Sequence, residues 1–438
     1  MRGLKQFALF TLLASPVFGI GGDSIRSFAP MTALVLDARA NHSKPLLEAY
    51  FDWEVDYFLD FENIQNSTLT ELRNLREAGR ALDRSDLITA EQKISAIQNF
   101  PNDKKYLRGV LEAAKGRYQQ SLELFRQLID DRRNISRRLQ NLSFMGAARV
   151  FHEVEDYKQA IYHYNQVRQL DPEFFQAVFE KGWSFYLNGD MNGSLGVSLS
   201  FMSPYFENAF YPETWLVRAA SFFQLCYFER ATATVEEMKR RFEPIQRQAK
   251  ELLNREPASF LFEDRILRAV NKGLLGFMTS DSRFRALMRA QLALAKEVKS
   301  LEGRREQAIA TNALASVRSK LAQEARRILM LADKQASDLL AQADIIAIEI
   351  LQAAANQLLG RPPEEQAKVK IINLGEVDFD EMVQFWPFKS EFWLDELGSY
   401  YYGLKSNCDA EGQQSLAIPS SYVSALRHFG SQFEPSKH

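Results

Sequence analysis

The chain has 438 residues, and its proportions of apolar (46%) and charged (25%) side chains are ordinary for a folded soluble protein. This length is too great for one compact core, so two or three structural units are expected. The formal net charge of −2 does not favour nucleic-acid binding, which usually needs a basic surface.

Residues 1 to 19 have the pattern of a secretory signal peptide. Two cations precede a short apolar run, Phe7 to Leu13, and small residues follow up to Gly19. Such a run is too short to cross a bilayer, which takes about 20 residues. A buried helix start is the alternative interpretation. No later stretch is long and apolar enough to span a membrane. Because of the signal-peptide pattern, the sequence predicts an exported protein.

The next hundred residues divide into a lead-in and a helical region. Residues 20 to 45 contain Gly, Ser and Pro with few periodic apolar positions, which predicts a flexible lead-in. Residues 46 to 100 are helical in pattern, because apolar side chains recur at three- and four-residue steps. The first of these are Leu46, Leu47, Tyr50, Phe51, Trp53, Tyr57, Phe58 and Phe61. We expect a helical N-terminal cap or degenerate repeats here, since an array of repeats needs its end covered.

Residues 101 to 244 carry the most informative pattern, which is clearest from Asn141 to Phe174 (NLSFMGAARVFHEVEDYKQAIYHYNQVRQLDPEF). A small residue stands where two helices must touch, an aromatic residue begins the second helix, and an Asp-Pro pair ends it. The key positions are Ala148, Tyr157, Ala160, Tyr164 and Pro172.

Equivalent residues recur before and after this unit. They are Gly109, Tyr118 and Ser121, then Gly182 and Ser194, then Trp215, Ala219 and Ala231. The small residues of the second helices (Ser121, Ala160, Ser194 and Ala231) are 39, 34 and 37 residues apart. This pattern resembles the tetratricopeptide (TPR) family, with its period of about 34 residues. The resemblance implies four TPR units forming a helical solenoid, whose concave face binds other proteins. An irregular helical bundle is the alternative. Pro172 and Pro244 are expected just past helix ends.

Residues 245 to 282 are predicted to be a helical connector with a loop at Gly273 to Ser282. Residues 283 to 360 then form a long Ala-rich helix or coiled coil. Apolar positions there repeat every 11 residues, as in the row Val317, Ile328, Leu339 and Ile350, which suits a nearly straight helix. A single arm after Gly303 would reach about 80 Å. A hairpin that turns near Gly303 is the alternative, and we expect the arm to bridge to a second partner or to self-associate.

Residues 361 to 438 are an aromatic-rich segment and tail, with a short strand expected within 365 to 375. The string FWPFKSEFWLDELGSYYYGLKSNC resembles the C-terminal segment of exported TPR proteins from gliding and predatory bacteria of the myxobacteria and Bdellovibrio kind. The matching positions are Trp386, Pro387, Phe388, Glu391, Trp393, Asp395, Glu396, Leu397, Gly398 and Tyr400. The resemblance implies a scaffold in the periplasm or at the outer membrane, serving gliding motility or envelope machinery, with no catalytic activity.

Acids among aromatic residues also suggest an alternative, an enzyme that acts on peptidoglycan with two carboxylates. Glu391 and Asp395 are four residues apart, however, which would place them on one face of a single helix instead of across a cleft. We therefore expect an amphipathic capping helix and assign no catalytic residue. The five histidines do not stand at metal-ligand spacing, so no metal or cofactor is expected.

The two cysteines, Cys226 and Cys408, form an even pair in a chain that is predicted to be exported. A disulfide between them and two separate thiols are both open interpretations. A disulfide would require the tail to lie on the fourth repeat and the arm to fold back, because bonded cysteines have Cα atoms within about 7 Å. The sequence as a whole predicts an all-α interaction scaffold, with a self-assembling structural protein as the main rival.

Overall fold

The computed structural model describes residues 28–53, 59, 66–131, 133–206, 210–255, 270–359, 372 and 389–408. In these residues the regular structure consists of fifteen α-helices and two short 3₁₀ helices, without a strand. The prediction of an all-α fold is confirmed for this part of the chain. The predicted signal peptide, the residues Trp386, Pro387 and Phe388, and all of the predicted strand except Ile372 lie outside the described residues.

Twelve of the helices follow one another as six hairpins. These are α1 (Pro30–Arg39) with α2 (Ser43–Trp53), α3 (Ser67–Asp83) with α4 (Leu87–Ser95), α5 (Pro101–Ala114) with α6 (Tyr118–Asp130), α7 (Arg137–Glu153) with α8 (Tyr157–Tyr164), α9 (Phe174–Leu187) with α10 (Met191–Ser200), and α11 (Glu213–Gln224) with α12 (Phe228–Asn254). We number the hairpins 1 to 6 in this order. Each hairpin contacts the next one, so they form a row.

All six hairpins turn through the same three-residue link. Its middle residue has a positive φ, between 58° and 81°, and these residues are Asn41, Ser85, Gly116, Glu155, Gly189 and Cys226. In hairpin 5 the Gly189 amide donates to the Tyr186 carbonyl, and the Asp190 amide donates to the Phe185 carbonyl. The other five links repeat these two hydrogen bonds. This is the Schellman motif, which satisfies the last carbonyls of a helix and ends it abruptly.

In three hairpins the last residue of the link is an aspartate that caps the second helix. The carboxylates of Asp86, Asp156 and Asp190 accept the backbone amides of Thr89, Gln159 and Gly193. An aspartate at this position satisfies an amide that has no partner within the helix.

We expect Asp156→Ala to lower the free energy of unfolding by about 1 kcal/mol, because the Gln159 amide loses its acceptor. Urea denaturation measures this. Lys158→Ala, at an exposed position in the same helical turn, is the matched control and is expected to be neutral. Equal stability of Asp156→Ala and the native chain would contradict the capping role.

The Ala-rich region folds as a hairpin of α14 (Ser282–Ser300) and α15 (Gln307–Leu358), preceded by α13 (Lys272–Ser280). Helix α15 packs against α12 in antiparallel orientation. Its contacts pair rising residue numbers on α12 with falling numbers on α15, namely Lys239 with Asp344, Gln246 with Ser337, and Lys250 with Asp333. The Ala-rich region therefore does not project from the molecule as a free arm.

The predicted lead-in is wrong for residues 30 to 39, which form α1. Met31, Ala33 and Leu34 are buried, and the Glu297 carboxylate on α14 accepts the amides of Met31 and Thr32 at 2.8 Å. A carboxylate at the N-terminus of a helix satisfies its unpaired amides. This long-range contact has no local sequence signal. Because α15 contacts both α1 and α12, it bridges the first and last hairpins.

Three predicted boundaries also need correction. Helix α8 ends at Tyr164, seven residues before the Asp171-Pro172 pair that was predicted to end it. Pro244 lies inside α12 and does not follow it. A proline costs about 3 kcal/mol in a helix interior, and the packing of Phe242 and Ile245 in the core offsets this cost. The predicted loop at Gly273 to Ser282 is largely α13, which is capped by Asn271 and buries Leu274 and Met278. Only Asp281 separates α13 from α14, and its carboxylate caps α14.

The first helices of hairpins 4 to 6 lie inside the molecule. Nearly all side chains of α7, α9 and α11 are buried or half-buried, whereas α6 and α8 expose a polar face. The concave partner-binding face implied by the TPR resemblance was not assigned to particular helices, and it stays a prediction. The first helices of hairpins 4 to 6 have packed side chains.

Candidate functional site

The residues of the predicted repeat signature occupy packing positions within the hairpins. The small residues Gly109, Ser121, Ala148, Ala160, Gly182, Ser194, Ala219 and Ala231 are buried, as are Tyr164 and Trp215. Tyr118 and Tyr157 are half-buried, and Pro172 lies exposed between hairpins 4 and 5. Where the helices cross, the Ser121 hydroxyl donates to the Gly109 carbonyl at 2.7 Å. These residues hold the helices together and do not converge on one site.

The C-terminal residues Leu397–Cys408, which we call the strap, lie extended across α9, α10 and α11. The Asn192 side chain forms hydrogen bonds with the backbone of the strap. The amide nitrogen of this carboxamide donates to the Leu404 carbonyl, and its oxygen accepts the Leu404 amide, both at 3.0 Å. The Asn192 carbonyl accepts the Tyr402 amide at 3.1 Å. These bonds satisfy strap backbone groups that have no secondary structure of their own.

At the other end of the strap, Gly398 is held on both sides. Its carbonyl accepts from Lys181 Nζ at 2.7 Å, and its amide donates to the Ser200 hydroxyl at 2.8 Å. The strap also passes directly over Gly196, where an added Cβ would lie 1.8 Å from the Tyr400 carbonyl oxygen. The strap therefore covers α10, all of whose residues are buried.

Tyr401 and Tyr402 fix the position of the strap on the helices beneath it. The Tyr401 hydroxyl donates to the Asp190 carboxylate at 2.7 Å. Arg218 lies over the rings of both Phe222 and Tyr402, with its guanidinium carbon 4.9 and 5.6 Å from the two centroids. A cation over the face of an aromatic ring is attracted by that ring.

A disulfide joins Cys226 and Cys408, whose Cα atoms are 5.1 Å apart. Cys226 is the middle residue of the hairpin 6 link, and the Asn407 amide donates to the neighbouring Leu225 carbonyl. The sequence left this bond open. In the structure, the strap lies on helices of both the third and the fourth predicted repeats, and its Cys408 end reaches the fourth.

The predicted capping helix around Glu391 and Asp395 is wrong. Residues 389 to 393 are not helical, and Asp395 and Glu396 lie on a single 3₁₀ turn, Leu394–Glu396. The Tyr400 hydroxyl accepts the Trp393 amide at 2.8 Å and donates to the Trp393 carbonyl at 3.3 Å. The backbone amide and carbonyl of Trp393 are therefore hydrogen-bonded without a helix. Glu391 accepts the Lys389 amide at 2.6 Å, while Leu397 is buried in the core.

A buried charge network, which sequence reasoning missed, joins hairpins 4 and 5. Arg149 donates twice to Glu180, at 2.7 and 2.6 Å, and both side chains are almost fully buried. The Tyr164 hydroxyl and the Gln176 amide donate to the same carboxylate. Burial alone would lower the pKa of Arg149, but the Glu180 charge raises it above its ordinary value. The available signal was a charged residue close to each helix-crossing position, since Arg149 follows Ala148 and Glu180 stands two residues before Gly182.

His152, on α7, is buried beside this network, and its Nδ1 lies 2.8 Å from the Ser184 hydroxyl. Burial lowers the pKa of His152 and of His163 below the ordinary value of 6.5. The unfolded chain then binds more protons than the folded chain below pH 6.5. We expect the free energy of unfolding to fall as the pH decreases from there. Urea denaturation across this range measures the fall. An equal fall in the double variant His152→Gln, His163→Gln would contradict the assignment.

A cleft of about 670 Å³ lies between hairpins 4 and 5 and is closed on one side by Leu397 and Ser399 of the strap. Its charged lining residues are Arg137, Arg168, Asp171 and Lys181. Lys181 is buried and donates to the Asn165 side chain and to the Gly398 carbonyl. Burial lowers the pKa of this amine to about 8.

Neither a metal centre nor a membrane span is found in the described part of the chain. No group of three or more His, Cys, Asp and Glu side chains there could hold a metal ion. None of the described helices is both long enough and apolar enough to cross a bilayer. No protein-family model matches the sequence, and no curated protein is significantly similar to it.

Proposed function

We propose that the chain is an exported protein-interaction scaffold of the TPR type in a bacterial envelope, placed in the periplasm or at the outer membrane and serving motility or another envelope machinery. The observation that carries the proposal is the row of six hairpins with one repeated turn, since arrays of helix pairs typically present binding surfaces to other proteins. The disulfide supports export, because such bonds persist in oxidising compartments.

The partner surface that we favour is the second half of α15. Nearly all side chains of α7, α9 and α11 are buried or half-buried, so these helices offer little surface to a partner. On α15, by contrast, Ile345, Ile348, Leu351 and Leu358 are between 54% and 89% exposed. Only Asp344 and Glu349 are charged between Leu340 and Leu359. An exposed apolar stripe of this kind marks a contact with another protein.

Substitution on this stripe tests the proposal. We expect the double variant Ile348→Asp, Leu351→Asp to fold normally, because both side chains are exposed, and to lose the partner that the native chain captures from cross-linked envelopes. Lys334→Asp, an exposed change earlier on α15, is the matched control and should keep the partner. Capture of the same partner by the double variant would overturn this surface.

A self-assembling structural protein is the second candidate, and the same stripe favours it. An uncharged stripe on one copy is complementary to the identical stripe of a second copy across a two-fold axis. Light scattering in solution separates the candidates. A native dimer that becomes a monomer in the double variant supports self-assembly. A native monomer supports the scaffold, as long as the partner is captured.

A further inference from the structure

The cleft between hairpins 4 and 5 has the size and lining of a small-molecule site. Its volume of about 670 Å³ lies within the usual range of roughly 300–1,000 Å³ for such sites. Its lining combines apolar side chains, such as Val178 and Leu397, with the charged side chains of Arg137, Arg168, Asp171 and Lys181. A mainly apolar lining with a few polar groups is typical of pockets that bind and orient one small molecule.

The charges of the cleft are unbalanced. Arg137, Arg168 and Lys181 face a single carboxylate, that of Asp171, so three positive charges and one negative charge leave a surplus of two. Arg137 already engages Asp171 in a two-point contact at 2.8 and 3.0 Å. Within the described residues, neither Arg168 nor Lys181 forms an ion pair.

Lys181 makes this surplus significant because it is only 6% exposed. A buried ammonium group is costly unless an opposite charge compensates it. Its two protein partners, Asn165 Oδ1 and the Gly398 carbonyl, are neutral oxygens, both at 2.7 Å. An ammonium group has three donors, so these partners account for two of them. An anion in the cleft would supply both the third acceptor and the missing negative charge.

We propose that this cleft binds a small organic anion, whose carboxylate lies between Lys181 and Arg168 and whose carbon skeleton rests on Val178 and Leu397. This site is independent of the partner surface on α15. Because Leu397 belongs to the strap, the bound anion contacts hairpins 4 and 5 and the strap together, and binding requires a docked strap.

Titration calorimetry of the full-length protein with hexanoate tests the proposal. We expect hexanoate to bind with one-to-one stoichiometry and hexan-1-ol, which has a similar chain without the charge, not to bind. Arg168→Gln should weaken hexanoate binding about tenfold, as expected when one charge-assisted contact is lost. Arg126→Gln, an exposed change on α6 outside the cleft, is the matched control and should bind hexanoate like the native chain.

The position of the ligand is tested by chemical labelling. Hexanoate should slow the reductive methylation of Lys181, as followed by peptide mass spectrometry, and should leave the exposed Lys158 unaffected. Equal binding of hexan-1-ol, unchanged affinity in Arg168→Gln, or no protection of Lys181 would each overturn the proposal. Absence of hexanoate binding in the native chain would also overturn it. Because the Arg168 side chain is exposed, its replacement is expected to leave the strap docked, so a loss of affinity reports on Arg168 itself.

Discussion

Replacing Arg149 by Met is expected to lower the free energy of unfolding by about 3–5 kcal/mol, because Glu180 would become a buried carboxylate without a cation. The two side chains are only 6% and 2% exposed, so water cannot take over the role of Arg149. The Tyr164 hydroxyl and the Gln176 amide would still donate to Glu180, but neither carries a charge. Urea denaturation measures the change.

Two further variants show whether burial is the cause. Arg137 on α7 pairs with Asp171 in the link between hairpins 4 and 5, but Arg137 is about half exposed, so Arg137→Gln should cost less than about 1 kcal/mol. The double variant Arg149→Met, Glu180→Met should recover most of the lost stability, since apolar residues of similar volume often replace a buried ion pair at little cost. An Arg149→Met variant as stable as Arg137→Gln would contradict the account.

Gly196→Ala is expected to detach the strap from α10. The added Cβ would lie 1.8 Å from the Tyr400 carbonyl oxygen, and this obstacle is backbone that cannot rotate away. The strap amides of Gly398, Tyr402 and Leu404 are bonded to α10 and should exchange slowly in the native chain. We expect their hydrogen exchange to become about a hundredfold faster in the variant, as for a segment that opens locally.

The control for this variant is Gly273→Ala on α13. Its added Cβ would meet only side-chain atoms, the end of Ile245 at 2.9 Å and Asn271 Oδ1 at 3.3 Å, and neither belongs to the strap, so strap exchange should not change. Unchanged exchange of the Tyr402 and Leu404 amides in Gly196→Ala would contradict the observed path of the strap. A variant that unfolds entirely is recognised by far-ultraviolet circular dichroism, and the comparison is then made at a lower temperature at which the variant is folded.

Local sequence patterns predicted the helical class of the fold well. Turn residues and small crossing residues such as Ala148 and Ala160 act within one hairpin, so a single sequence displays them. The eleven-residue period likewise predicted one long helix, and α15 has 52 residues. It did not predict where this helix lies. The pairing of Lys239 with Asp344 joins residues 105 positions apart, which no local period encodes.

The strap and the cleft could be predicted only in part. Cys226 and Cys408 indicated that the tail and the fourth repeat could meet. The remaining strap contacts go mainly to backbone atoms, as with Asn192 and Lys181, and backbone contacts leave no signature in sequence. The prediction of a capping helix was wrong for a related reason. The Tyr400 hydroxyl forms hydrogen bonds with the backbone amide and carbonyl of Trp393, which a helix would otherwise pair.

The most direct test of the account is the state of the two cysteines in the protein isolated from the cell envelope without reductant. Free thiols are blocked at lysis, and the protein is then digested and analysed by mass spectrometry. We expect a cross-linked peptide pair that contains Cys226 and Cys408, because the strap lies on hairpin 6 and the exported chain meets an oxidising compartment. Recovery of both cysteines as blocked free thiols would contradict both the strap and the proposed location.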